Sequence, residues 1–399
     1  MIFTIFLWLL VWAAMYSGIE NIRALQFFTD KLTVFQGIRA LLPILAIYLC
    51  IMKAFFSRSL KVPSLKTAPG LFFYYCLIGI IASLKSTDIL ASIYYGFIYL
   101  SANLVILNLM NNKNPVNNAG AISRVNFIFF MISIVCFLPQ ALGVGLGVLN
   151  DLPFGLGAVN RNGIARYALV VIIIAFIHLI NARKFRSYLY IFLLAPALFI
   201  LAQSQSRTAL LGLAVTLVLV FYLKGMNWRL FILSPIFVYI IWLSGFKWRA
   251  QEVFVSMFSL TGRELTWERA LELIKLSPIY GWGFYADRLL LDFEHIHNSY
   301  IHALVQSGIV GGIFFSGAVV SIWWFIFKHN LFRLVRKSQD SDKTLIIESI
   351  ALVGFLTARS FFESTAAFYG VDLLLFLPAV CFIYLWTKQA EGSKVGIKK

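Results

Sequence analysis

The chain has 399 residues, of which 60% are hydrophobic and 13% charged, with a mean hydropathy of +0.84 and a formal net charge of +17. No water-soluble domain has this balance. Apolar runs of roughly 17 to 25 residues, the length that crosses a bilayer, recur from end to end. The whole of 1–399 is therefore expected to be one all-α, polytopic membrane domain.

The first run, MIFTIFLWLLVWAAMY, has no basic segment before it and no small-residue cleavage site after it, which predicts a retained first span. Twelve spans are expected, centred near Leu9, Leu45, Ile78, Tyr99, Ser133, Ile172, Leu194, Val215, Tyr239, Gly317, Leu352 and Phe376. An even count puts both termini on one side of the membrane. Lys and Arg decide which side, because short cytoplasmic loops carry the excess. The breaks around Lys53 to Lys66, Lys113 to Arg124, Arg183 to Arg186, Lys224 to Arg229 and Lys328 to Lys343, with the tail, hold most of them. Both termini are thus expected in the cytoplasm, and the positive charge reads as topology determinants facing anionic membrane lipids. No nucleic-acid module is recognisable, so no nucleic-acid partner is expected. Cys50, Cys76, Cys136 and Cys381 are isolated at or within apolar spans and read as packing residues.

The opposite face receives polar residues that the charge bias does not explain. Arg23 and Arg39 precede the second span. Asn160, Arg161, Asn162 and Arg166 follow the glycine-rich GVGLGVLNDLPFGLG. Arg207, in AQSQSRTALLG, is the only basic residue between the seventh and eighth spans. It has two readings: snorkelling to head groups, or anion binding at the mouth of a helix bundle. Arg359 and Glu363, in TARSFFEST, reach the same face.

The longest polar break, 246–298, lies between spans nine and ten and is expected to form a loop subdomain. Within it, TGRELTWERALELIKLSP carries a capping-box spacing, Thr261 to Glu264, and apolar residues at helical intervals until Pro278. A short helix lying at the membrane interface is expected, with Trp267 on its apolar side and Arg263 in its first turn. GWGFYA has a G-x-G-x-x-A spacing without the strand that a dinucleotide site needs, and reads as a tight turn around Trp282. HIHNSYIH then places His295, His297 and His302 within eight residues. Asn298 suits a helix cap or an orienting partner for His297. His295 and His302, seven apart, would share a helical face and read as interface-facing polar fill. A zinc set of the three with Glu294 stays open, although the spacing is not i, i+4 and no cysteine is near.

SQSRTALLGL, GRELTWERALELIKLSPIYGWGF and HNSYIHALVQSGIVGG, in this order, resemble the signatures of the O-antigen ligase and polymerase superfamily. The motifs cover roughly 200 to 315. The resemblance implies a GT-C-like glycosyltransferase of the bacterial inner membrane, without metal or cofactor. Its donor would be a glycan on undecaprenyl pyrophosphate at the periplasmic face, and its acceptor lipid A-core or a second glycan. It also implies that Arg207 and Arg263 bind the pyrophosphate and that His297 serves the acceptor. Asn160, Arg161, Arg166, Asn298, His295, Arg359 and Glu363 are the remaining candidates for binding substrate.

The chemistry suits these residue types. Displacing a lipid pyrophosphate builds negative charge on the leaving group, which arginine forks can hold, and a neutral imidazole can take the proton of an attacking hydroxyl. The third motif resembles the ligase form more than the polymerase form. A twelve-span transporter is the other reading, yet only Glu348 and Asp372 are carboxylates placed inside spans, and related halves are not visible. A membrane scaffold would leave the basic residues on the wrong face unexplained.

Overall fold

The computed structural model describes residues 1–15, 31–57, 62–141, 161–181, 184–204, 206–225, 263–292, 294–338 and 342–396. Among these residues all regular structure is helical. The helices, in chain order, are α1 (Ile2–Ala13), α2 (Lys31–Phe56), α3 (Ala68–Ala82), α4 (Ile89–Met110), α5 (Pro115–Ala141), α6 (Arg161–Asn181) and α7 (Lys184–Ser204), then α8 (Arg207–Lys224), α9 (Arg263–Leu276), α10 (Ala286–Leu290), α11 (Ser299–Lys328), α12 (Leu331–Lys337), α13 (Lys343–Arg359) and α14 (Val371–Gly396). Eight are long and apolar enough to cross a membrane, and Ile2–Ala13 and Thr208–Lys224 are shorter apolar helices. Each expected span is centred in a helix, save the one near Tyr239, which lies outside the described residues with Arg23, Asn160 and Thr261.

A chain this apolar folds with large hydrophobic side chains facing outward as well as inward. Phe55, Phe56, Val135, Phe192 and Trp324 are exposed, as lipid-facing residues are, while α14 is almost wholly enclosed by its neighbours. With no hydrophobic difference between lipid and core, helices need polar glue. Asn126 of α5 supplies it: Oδ1 accepts from the indole N–H of Trp8 at 2.8 Å and of Trp12 at 2.9 Å, and Nδ2 donates to the Leu374 carbonyl at 2.9 Å. One side chain thus ties α1, α5 and α14.

α11 is not continuous. Gly308 (φ 61°, ψ −166°) breaks it into two halves, in a region of backbone space that only glycine occupies readily. Backbone groups freed at a break inside a bundle must find partners. Here they pair with residues 278–283: Trp282 N donates to Val305 O (2.9 Å), Gly283 N to Gln306 O (2.8 Å) and Ile309 N to Pro278 O (2.7 Å). GWGFYA is therefore more than a tight turn. Gly281 and Gly308 meet backbone to backbone, since a Cβ on Gly308 would lie 2.2 Å from Ile279 O and one on Gly281 2.5 Å from Gly308 N.

The same segment is keyed into the bundle by Phe284, whose ring fills the slot left by Gly79 of α3 and Gly96 of α4 and stacks on Tyr99 at 5.3 Å. Trp267 differs from expectation. Its indole donates to Ile296 O at 2.6 Å, and it packs with Ala270, Leu291, Ile296 and Val305 in a small core between the loop and the first half of α11. The outward apolar residues of this region are Leu265, Leu271, Leu276, Ile279 and Tyr280.

The helix ends sort by type. At one end Lys53 Nζ reaches Asn108 and Asn112, each at 2.7 Å, and Arg336 Nε reaches Tyr222 O at 2.7 Å. At the other end the starts of α6, α11 and α14 and the ends of α1 and α13 surround a cavity of about 460 Å³.

Candidate active site

The loop 360–370 between α13 and α14 forms one wall of this cavity, and buried hydroxyls hold it in place. Tyr75 Oη donates to Ala367 O (2.6 Å), Tyr99 Oη to Ala366 O (2.9 Å), and Ser299 at the start of α11 bonds Glu363 O (2.9 Å). Asn298 caps α11, its Oδ1 accepting from Tyr300 N and Ile301 N at 3.0 Å each, and its Nδ2 donates to Phe361 O at 3.1 Å. Capping and loop anchoring by this one residue fix the position of its neighbour His297, whose backbone is left-handed (φ 50°). Such a conformation in a non-glycine residue costs on the order of 1–3 kcal/mol, and clusters at functional sites.

Glu363 is the centre of the wall. Its Oε2 lies 2.8 Å from His297 Nδ1 and its Oε1 accepts from Asn162 Nδ2 at 2.9 Å, with Arg263 Nη2 at 3.5 Å and Arg359 Nη2 at 4.0 Å. Burial opposes its ionisation, but the His297 hydrogen bond and the charges of Arg359, His297 and Arg263 outweigh burial and lower its pKa from 4.5 to about 2. An ionised Glu363 keeps a proton on His297 Nδ1 and leaves Nε2 as the basic nitrogen. Because the folded pKa is depressed, the stability this carboxylate contributes is present above about pH 4.5 and is lost as pH falls toward 2.

Arginines line the same wall. Arg166 Nη1 and Arg359 Nε both reach Asp372, each at 3.2 Å, from opposite carboxylate oxygens. Asp372, read from the sequence as an intramembrane carboxylate, thus sits in the first turn of α14 as an arginine clamp. Arg359 is buried, lines the cavity, and its Nη1 has no hydrogen-bond partner among the described residues. Arg263 stands behind the wall, donating from Nη1 to Phe362 O at 2.7 Å. Arg207 opens α8 and Arg161 opens α6, but their side chains lie outside the described residues, as Asn160 does entirely. Ser206, the cap of α8, donates to Asn162 Oδ1 at 2.9 Å, which brings the start of α8 to Glu363 through one residue.

The histidines are placed differently from the expectation of polar fill at the interface. α11 begins at Ser299, so His295 lies before it and shares no helical face with His302. Both line the cavity. His295 packs against the guanidinium of Arg288 and lies 5.4 Å, ring to ring, from His297. Burial, then Arg288 and His297, push its pKa down to about 3, so at neutral pH it is uncharged and accepts a hydrogen bond from Arg288. His302 is buried beside Asp287, Nε2 to Oδ1 3.4 Å. The three imidazoles therefore take three different partners. Among the described residues no group of His, Cys, Asp and Glu has the arrangement of a metal site.

Sequence reasoning did not single out Asp287 and Arg288 as site residues, nor the stacked pair Tyr95 and Tyr285 (4.2 Å, 11° between planes) that forms the facing wall. For Tyr285, Asp287 and Arg288 the only signal was position, directly after GWGF, and Tyr95, within the apolar α4, gave none. What turns the first three inward is the pairing of 278–283 with the break in α11.

Residues 191–316 match a family model described as O-antigen ligase. That interval runs from α7 into α11 and holds Arg207, Arg263 and all three cavity histidines, while Arg166, Arg359, Glu363 and Asp372 come from outside it. Among curated proteins, the chain is 28% identical over 151 residues to the exopolysaccharide production protein ExoQ of Rhizobium meliloti (strain 1021). The alignment covers 34% of this chain and 29% of that protein, so the chain matches less than a third of that relative's length. No solved structure matches.

Proposed function

We propose that this chain, whose residues 191–316 match an O-antigen ligase family model and which carries eight helices long and apolar enough to cross a membrane, transfers a glycan from undecaprenyl pyrophosphate to an acceptor sugar. The observation that carries this reading is the pairing of His297 with an ionised Glu363 on a wall of arginines. The acceptor hydroxyl gives its proton to His297 Nε2 as its oxygen bonds the anomeric carbon. The bond from that carbon to the pyrophosphate oxygen breaks, and the leaving group keeps the electron pair. Arg359, whose Nη1 has no hydrogen-bond partner among the described residues, and Arg166, Arg263 and Arg207 supply the positive charge that this developing anion needs.

The ligase form, with lipid A-core as acceptor, is preferred on the resemblance of HIHNSYIHALVQSGIVGG. The likeness to an exopolysaccharide production protein favours a second reading, polymerisation of lipid-linked repeat units. Deleting the gene separates them. A ligase mutant is expected to accumulate long polymer on undecaprenyl pyrophosphate with bare lipid A-core. Lipid A-core capped by one repeat unit would establish the polymerase reading instead.

The cavity end of the bundle is assigned to the periplasm, because Lys53, Lys224, Arg336 and Lys343 gather at the other end. Glu272, on the outer side of α9, and Lys337, at the end of α12, are both exposed. A membrane-impermeant thiol reagent added to intact spheroplasts is expected to label Glu272→Cys and spare Lys337→Cys. Labelling of the second alone would invert the topology.

A further inference from the structure

Among the described residues, several buried polar atoms that make no hydrogen bond belong to residues lining the cavity: Arg359 Nη1, Ser364 Oγ, His302 Nδ1 and Asp287 Oδ2, the last 3.5 Å from Arg288 Nε. The first two lie on the Glu363 wall. The other two form a second carboxylate and imidazole pair that the transfer step does not use.

Asp287 is fully buried, and burial favours its neutral form, but His302, Arg288 and His295 lower its pKa to about 2. His302 Nε2 faces this anion at 3.4 Å and so carries a hydrogen. The Gln306 amide has one end 2.7 Å from His302 Nε2 and the other 2.8 Å from Tyr75 Oη. Tyr75 has a single hydroxyl hydrogen, and Ala367 O lies closer to it, at 2.6 Å. Its oxygen is then the acceptor for Gln306, which turns the amide N–H₂ to Tyr75 and the amide oxygen to His302. In this arrangement Tyr75 donates to Ala367 O, the Gln306 amide N–H donates to Tyr75 Oη, and His302 Nε2 donates to the Gln306 oxygen, with the Asp287 carboxylate facing the same nitrogen at 3.4 Å. Each of these hydrogen bonds then has one donor and one acceptor, and the His302 tautomer consistent with them carries its hydrogen on Nε2. Its Nδ1 is left as a bare lone pair, buried and without a partner among the described residues.

We propose that His302 Nδ1 is a hydroxyl-binding point for a sugar ring of the glycan substrate. The ring hydroxyl donates to Nδ1, and aromatic faces receive the ring's C–H surface: Phe368, parallel to His302 at 5.4 Å, and Tyr285 with Tyr95 on the facing wall. Asp287, Gln306 and Tyr75 are positioning residues that hold the acceptor nitrogen toward the ligand. This assignment rests on the reading of the cavity as a glycan-transfer site. His302 here binds and takes no proton, which separates it from His297.

The test uses the full-length protein in detergent and, as probe, the oligosaccharide repeat released by mild acid from the host's own surface polysaccharide. Calorimetric titration is expected to show His302→Leu binding about 10-fold more weakly than wild type, the worth of one hydrogen bond whose partner is left unpaired. Gly392→Ala, where nothing lies within 4 Å of the new methyl, is expected to bind as wild type. A second readout needs no variant: in protein labelled with ¹⁵N-histidine, His302 Nδ1 should show the shift of an unprotonated nitrogen and move when the oligosaccharide is added. A protonated Nδ1, or unchanged affinity in His302→Leu, overturns the hydroxyl site and leaves the transfer reading intact. Failure of the wild-type protein to bind the oligosaccharide at all removes both.

Discussion

Replacing His297 by glutamine is expected to lower glycan transfer by roughly 10²- to 10⁴-fold, the usual worth of a general base, in a protein that is made and inserted normally. Glutamine fills similar space and can still hydrogen-bond Glu363, so packing is kept while the basic Nε2 is lost. Arg263→Ala and Arg207→Ala are expected to cost about 10²- to 10³-fold each, as removal of a charge-stabilising donor does. Lysine should rescue poorly at Arg263, because that guanidinium bonds Phe362 O through Nη1 and Glu363 through Nη2, a fork that a single ammonium cannot reproduce. The measurement is transfer by purified protein with lipid-linked donor and acceptor in excess EDTA. Wild-type turnover in His297→Gln would remove the proposed base. Activity abolished by EDTA and restored by Zn²⁺ would replace this mechanism with a metal-assisted one.

The second large effect is expected on folding. Gly308 has a backbone conformation that costs any other residue on the order of 1–3 kcal/mol, and a Cβ there would press to 2.2 Å from Ile279 O. Gly281, also at positive φ, would meet Gly308 N at 2.5 Å. Both contacts are backbone to backbone, so no side chain can swing away. Gly308→Ala and Gly281→Ala should therefore each lower the thermal midpoint in detergent and shift the protein toward aggregate in size-exclusion chromatography. Gly392→Ala, where nothing lies within 4 Å of the new methyl, should behave as wild type. A Gly308→Ala protein with an unchanged midpoint and elution would mean that α11 runs unbroken.

Transfer activity should fall in the two destabilised variants as well, because the pairing at Gly308 delivers Phe284 to its slot between Gly79 and Gly96 and Asp287 to His302. A linear reading of GWGFYA and SGIVGG gave no hint of this. Each is a plausible turn or helix segment alone, and a broken helix with a peptide laid into the gap appears only when the two are side by side. Trp267 failed for the same reason: an apolar residue on a short helix reads as membrane-facing until the loop and the first half of α11 supply a core around Ile296. His302 was read as polar fill because its partner, Asp287, lies fifteen positions upstream, a separation that no helical period connects.

What the sequence determined by itself was whatever depends on composition and short-range order. Length and hydropathy fixed a polytopic helical bundle, because a bilayer leaves the backbone no other way to satisfy itself in isolated apolar segments. The gathering of Arg166, Arg359, Glu363 and the histidines toward one face was legible too, since alternate spans must return polar breaks to the same side. Which of these touch was decided by tertiary structure alone. Glu363 pairs with His297 across 66 residues, and Arg166 with Asp372 across 206. Charged groups in a partly buried site are stable only where each finds a partner at hydrogen-bond distance, and the packing of α6, α11, α13 and α14 sets those distances.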